Sequence, residues 1–89
     1  MTIRILLVED HAVVRNGYRR LFDAEDDMCV VGEAASADEA YARLVEHGAD
    51  LAIVDLNLRG SSGIDAIRRM LAREPGLRVL VISMHDNPS

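Results

Sequence analysis

The stretch AIVDLNLRGSSGID, Ala52 to Asp65, sets an apolar run against a lone carboxylate, Asp55. A Gly/Ser-rich segment follows, and then the first turn of what reads as a helix. A carboxylate at the end of a buried strand is costly unless something cationic meets it. The fold that this stretch belongs to decides what that partner is.

Working outward, the same pattern recurs. Ile3 to Val8 is an apolar run broken only by Arg4, and it ends in Glu9-Asp10. Such runs suit strands buried on both faces of a parallel sheet. Asp10 is placed to cap a helix in which Val13, Val14, Gly17, Tyr18, Leu21 and Phe22 share one face, with Arg15, Arg19 and Arg20 toward water. The acidic turn Asp23–Asp27 ends it. Met28 to Val31 reads as a short second strand, closing through GEAAS. Ser36 and Glu39 have capping-box spacing. Ala37, Ala40, Tyr41, Leu44 and Val45 form the next helical stripe, which Gly48 stops. Leu51 to Val54 is the third strand. Ser62 and Asp65 cap a third helix with Ile64, Ile67, Met70 and Leu71 inward. Pro75-Gly76 is a turn, LRVLVIS (Leu77–Ser83) is a fourth strand, and MHDNPS reads as loop.

The order βαβαβαβ predicts an α/β fold, a doubly wound parallel sheet with helices on both faces. The 89 residues fit one domain, 1–89, with no internal repeat or linker. At 49% hydrophobic and 28% charged, the composition is that of a globular domain. A net charge of −5 argues against direct binding to nucleic acid or an anionic membrane. No segment reaches the roughly 18 apolar residues of a membrane span, and the N-terminus lacks a secretory h-region. The expected location is the cytoplasm. Cys29 is the only cysteine and reads as a small strand hydrophobe. The three His residues do not cluster at ligand spacing and read as surface residues.

In a parallel sheet, strands one and three end at the same edge, where doubly wound folds bind their ligands. Glu9, Asp10 and Asp55 should therefore converge. Carboxylates that close repel, and a divalent cation relieves them. An all-oxygen set points to Mg²⁺. Ser83 ends the fourth strand at the same edge, within reach of a group on Asp55. Asp55 is then placed to act as a nucleophile and form an acyl phosphate. GSSG (Gly60–Gly63) lacks the Gly-Lys pair of a phosphate-binding loop and reads as a loop with a helix cap.

ILLVEDH, AIVDLNLRGSSGID and VLVISMHD together resemble the three signatures of response-regulator receiver domains, which have the flavodoxin-like (CheY-like) fold. VEDHAVVRNGYRRLF, VVGEAASADEA and ISMHD resemble the NarL/FixJ (LuxR-type) branch, whose members usually carry a C-terminal helix-turn-helix DNA-binding domain. The resemblance implies that Asp55 accepts phosphate from a sensor histidine kinase. It implies that Asp10, Asp55 and the backbone carbonyl of Asn57 ligate Mg²⁺, that Glu9 acts through water, and that Ser83 hydrogen-bonds the phosphoryl group. It implies a signalling protein and not an enzyme. The family commonly has Pro at Arg59 and a small residue at Met84, so access to Asp55 is expected to differ here.

A complete receiver continues through a fourth helix, a fifth strand carrying a phosphate-binding Lys, and a fifth helix. All ten basic residues here are Arg. The chain is accordingly expected to be a receiver cut after strand four, with that strand exposed at an edge and pairing into a homo-oligomer. Two rival functions stay open. One is an oligomerisation or protein-interaction module that no longer switches. The other is a metal-dependent phosphohydrolase, which Asn57 disfavours by leaving no second acid two residues after Asp55.

Overall fold

The computed structural model describes residues 1–58 and 61–82. Six strands and three helices alternate: β1 (Ile3–Val8), α1 (Ala12–Asp23), β2 (Met28–Ala34), α2 (Ala37–His47), β3 (Leu51–Asp55), β4 (Asn57–Leu58), β5 (Ser61–Ser62), α3 (Gly63–Arg73) and β6 (Arg78–Ile82). Four strands form one parallel sheet in the order β2-β1-β3-β6, and β4 pairs antiparallel with β5. The fourth strand expected from the sequence is thus β6. This is the doubly wound arrangement, with the chain reversing its direction of travel beside β1.

Side chains that alternate along a strand point to opposite faces, and the core divides accordingly. Ile5, Leu7, Val30 and Ile53 face α1, where Tyr18 and Phe22 pack on them. Leu6, Val8, Ala52 and Val54 face α2 and α3, against Ala40, Leu44, Ala66 and Met70. β1 is buried on both faces from Ile5 onward, as its unbroken apolar run requires.

Several local expectations are corrected. β2 runs on to Ala34, because a register shift after Ile5 lets Val30 and Gly32 pair with consecutive residues of β1. A bulge of this kind breaks the period-two pattern, and Gly32 is a poor strand former, so the sequence reads as if the strand stops at Val31. Asp10 does not cap α1; the cap position is His11, which makes no side-chain cap hydrogen bond. The apolar face of α1 is largely bare, as expected for a chain in which no fifth helix covers it among the described residues. Val13 is 85% exposed and Leu21 also faces out. Among the described residues α1 is alone on its side of the sheet and lies over β1 and β2, so only a narrow stripe has something to touch. Val45 and Ile64 are exposed as well, whereas Ala40 and Ala66 on the same helices are fully buried.

The helix ends conform better. Ser36 Oγ accepts from the Glu39 N–H at 3.2 Å, and Gly48 terminates α2 with φ +69°, a conformation that favours glycine. Ser62 Oγ accepts from the Ile64 N–H at 3.1 Å. Gly63 has a stricter requirement. A Cβ there would sit 2.3 Å from the Asp55 carbonyl oxygen and 2.6 Å from Leu56 Cα. The segment that read as a loop after Asp55 is a short paired ribbon instead, Asn57 opposite Ser62 and Leu58 opposite Ser61. It folds the chain back so that α3 starts directly against the end of β3. No helix among the described residues is long and apolar enough to cross a membrane.

Candidate functional site

Strand register builds the site. Val8 pairs with Val54 across β1 and β3, and with Ala34 across β1 and β2. The next residue on each central strand, Glu9 and Asp55, therefore leaves the sheet at the same level. Both are 1% exposed. The Asp10 side chain is also largely buried, at 7%. One donor atom from each of Glu9, Asp10, His11 and Asp55 lies within 4.8 Å of all the others.

Backbone and side-chain hydrogen bonds hold this mouth in shape. The Glu9 N–H donates to the Ala34 carbonyl at 2.9 Å. Arg15 donates from Nη1 to the Glu9 carbonyl at 2.7 Å and from Nε to Glu33 at 2.9 Å. Arg15 is thus half-buried and engaged, not turned to water as its place on the helix suggested. Asp55 Oδ1 accepts the Asn57 N–H at 3.0 Å, which fixes the carboxylate's orientation. Glu9 Oε2 accepts the His11 N–H at 2.9 Å and lies 2.8 Å from His11 Nδ1. Its other oxygen, Oε1, is buried with no hydrogen-bond partner. An unpartnered buried carboxylate oxygen beside two more carboxylates is an unfavourable arrangement by itself. It fits a site made to receive positive charge.

The sequence placed Glu9, Asp10 and Asp55 together, and the structure brings them together. Asn57 follows on the adjoining ribbon, exposed. Ser83, Met84 and Arg59 lie outside the described residues. His11 was missed. Its Nδ1 is 2.8 Å from Glu9 and 3.1 Å from Asp10, so it belongs to the cluster and is not a detached surface residue. The signal was its place directly after the acid pair, at the turn from β1 into α1, where the chain reverses and its N–H points back at Glu9.

His11 holds its proton above the ordinary value of 6.5, first because of the hydrogen bond to Glu9 and then through the Asp10 and Glu9 charges. A group whose folded-state pKa is raised contributes stability below its unfolded pKa and loses it as pH rises through the folded one. The imidazole is 54% exposed, so the contribution is small.

The whole arrangement has close counterparts. Residues 5–89 match the response regulator receiver domain model. The chain is 36% identical over 86 residues to the oxygen regulatory protein NreC of Staphylococcus carnosus, covering 96% of this chain and 40% of that protein. It is 40% identical over 85 residues to the DNA-binding transcriptional activator DevR/DosR of Mycobacterium tuberculosis, covering 96% and 39%. The chain therefore spans about two fifths of the length of these relatives. The crystal structure of a LuxR-family two-component response regulator from Aurantimonas superposes with a TM-score of 0.89 at 42% identity, covering 98% of this chain and 62% of that one.

In metal-free protein held with a chelator, Glu9→Gln is expected to lower the His11 pKa toward 6.5, followed by its imidazole proton shifts against pH. An unchanged titration would mean that Glu9 does not hold the proton. The sheet order, the acid cluster at its carboxyl edge and these likenesses agree, and the chain belongs to the response regulator receiver domain family.

Proposed function

We propose that this domain is the phosphoacceptor of a two-component relay, with Asp55 as the accepting residue. The observation that carries this is a buried Asp55 set among the Glu9 and Asp10 carboxylates at the mouth of the sheet. Asp55 Oδ1 is oriented by the Asn57 N–H, which leaves Oδ2 to attack phosphorus. The P–N bond to the partner kinase's histidine breaks as the O–P bond forms, and the imidazole departs with the electron pair. Asp10, Asp55 and the Asn57 carbonyl are the residues we assign to hold Mg²⁺, with Glu9 acting through water. When bound, Mg²⁺ neutralises charge on the carboxylates and the transferring phosphoryl group. Ser83 is assigned a hydrogen bond to the phosphoryl oxygens, and Met84 and Arg59 the flanks of the approach.

The similarity to transcriptional regulators supports a reading of the biological output. The name of the Mycobacterium tuberculosis relative states DNA binding and transcriptional activation. We assign the same class of output, control of transcription, to the protein in which this domain works, with a sensor histidine kinase upstream and the cytoplasm as its place. The domain itself has a net charge of −5 and is not assigned the DNA contact.

Beryllofluoride, a phosphoryl mimic, tests the acceptor. With Mg²⁺ present, wild-type protein is expected to give a bound ¹⁹F signal and shifts at Asp10, Asp55 and Asn57, and Asp55→Asn neither. Binding that survives Asp55→Asn would refute the assignment. Phosphorylation of the 89-residue chain itself should be slow. It contains no Lys, and one missing preorganised charge slows such chemistry by about two to three orders of magnitude.

A second reading has its own observation. β6 pairs only with β3 in the described sheet, and its Leu80 is 51% exposed. An apolar strand with an open edge is a template for another chain. We infer that the 89-residue chain self-associates through β6. Sedimentation at micromolar concentration should show a dimer that Leu80→Lys and Val81→Lys disperse. A monomer at that concentration would remove this reading and leave the phosphoacceptor untouched.

A further inference from the structure

His11 changes which cations the acid mouth accepts. We propose that His11 Nδ1 is a fourth protein ligand in the cluster, and that the site takes Zn²⁺ as well as Mg²⁺, with the imidazole acting on Zn²⁺ alone. The proposal rests on the reading of Glu9, Asp10 and Asp55 as a cation site and adds a nitrogen donor to it.

The geometry supports this in three ways. First, the Nδ1 atom is 2.8 Å from Glu9 Oε2 and 3.1 Å from Asp10 Oδ1. Donors on a common metal ion, about 2.1 Å from it, stand roughly 3 to 4 Å apart; the 3.1 Å approach to Asp10 falls in that range, and the 2.8 Å approach to Glu9 is a hydrogen bond that opens slightly around an ion. Second, the whole four-residue set fits within 4.8 Å. Drawing its widest pair onto one ion takes a closure of about 1 to 2 Å. Third, the Glu9 carboxylate in this set keeps Oε1 buried and without a hydrogen-bond partner. A cation bound at the cluster gives that carboxylate a partner.

The donor types then decide the preference. Mg²⁺ demands oxygen and keeps several waters, so an imidazole adds little to its binding. Zn²⁺ takes imidazole nitrogen and carboxylate oxygen readily, most often four ligands at once. Glu9, Asp10, His11 and Asp55 supply four. No rearrangement of the sheet is required, because three of the ligands are consecutive in the turn after β1 and the fourth ends the neighbouring strand. His11 is the half-exposed member, so it is free to turn toward an ion without opening the core.

Metal titrations of wild-type protein, His11→Ala and His11→Gln test this, reading amide shifts and the His11 ring ¹⁵N shift. Zn²⁺ is expected to shift His11 Nδ1 in the wild type. Both variants should bind Zn²⁺ at least about tenfold more weakly than wild type while still binding Mg²⁺ through the oxygen ligands. Equal Zn²⁺ affinity in all three proteins would overturn the proposal, as would Zn²⁺ shifts centred on His47 with His11 unmoved. Mg²⁺ that fails to shift Asp10 and Asp55 in the wild type would overturn the underlying cation site instead. Because His11 is exposed, neither variant removes a core contact, and the retained Mg²⁺ response reports that the fold is intact.

Discussion

Everything at the functional end of this domain depends on the register between β1 and β3. Val8 opposite Val54 sets Glu9 and Asp55 side by side as the two central strands end. Both strands are buried on each face by then, so the carboxylates emerge into a site that water reaches poorly. Asp10, one residue further on, joins them. A one-residue slip of either strand would exchange the side chains that pack under α1 with those that pack under α2 and α3. The hydrophobic core and the acid mouth are therefore specified together. The packing of Ile5, Leu7 and Ile53 on one side, and of Leu6, Val8 and Val54 on the other, is what aims the carboxylates.

Clustered carboxylates of this kind are unfavourable by themselves, and the surrounding contacts show how the chain tolerates them. Arg15 reaches from α1 to the Glu9 carbonyl, and its Nε holds Glu33 on β2. Arg19 joins the same Glu33. These cations brace the loop from behind without neutralising the carboxylates in front. On the other strand, Asn57 turns its N–H onto Asp55, and Gly63 lets α3 close against the Asp55 backbone where no side chain would fit. The result is a rigid frame around groups that still seek positive charge. A frame of this type suits the cation binding and phosphoryl acceptance proposed for it.

Much of this was legible in the sequence. Alternating apolar runs and helical stripes are strong signals, and the acid residues stand where those runs stop. Glu9, Asp10 and Asp55 were found because strand ends in a parallel sheet share an edge. What stayed hidden depended on contacts between distant elements. The burial of α1 is set by how much structure lies beside it, which its own periodicity does not encode; Val13 and Leu21 share the apolar stripe with Tyr18 and Phe22 and yet are exposed. The bulge in β2 made Gly32 to Ala34 look like a turn. Gly63 read as loop flexibility, although its role is a close approach to Asp55. His11 looked like an isolated surface histidine because its partners, Glu9 and Asp10, were considered as ligands for something else.

The central claim is that Glu9, Asp10 and Asp55 form a strained anionic cluster that a divalent cation relieves. Urea unfolding of wild-type protein and Asp55→Asn, each with chelator and with saturating Mg²⁺, tests it most directly. The asparagine keeps the shape and the acceptor for the Asn57 N–H, and removes one charge. Without metal, Asp55→Asn should be the more stable protein, by about 1 kcal/mol or more from relieved repulsion. With Mg²⁺ the wild type should gain stability as binding to the folded state requires, and the variant should gain much less. A wild type that is more stable than Asp55→Asn without metal, and indifferent to Mg²⁺, would contradict the account.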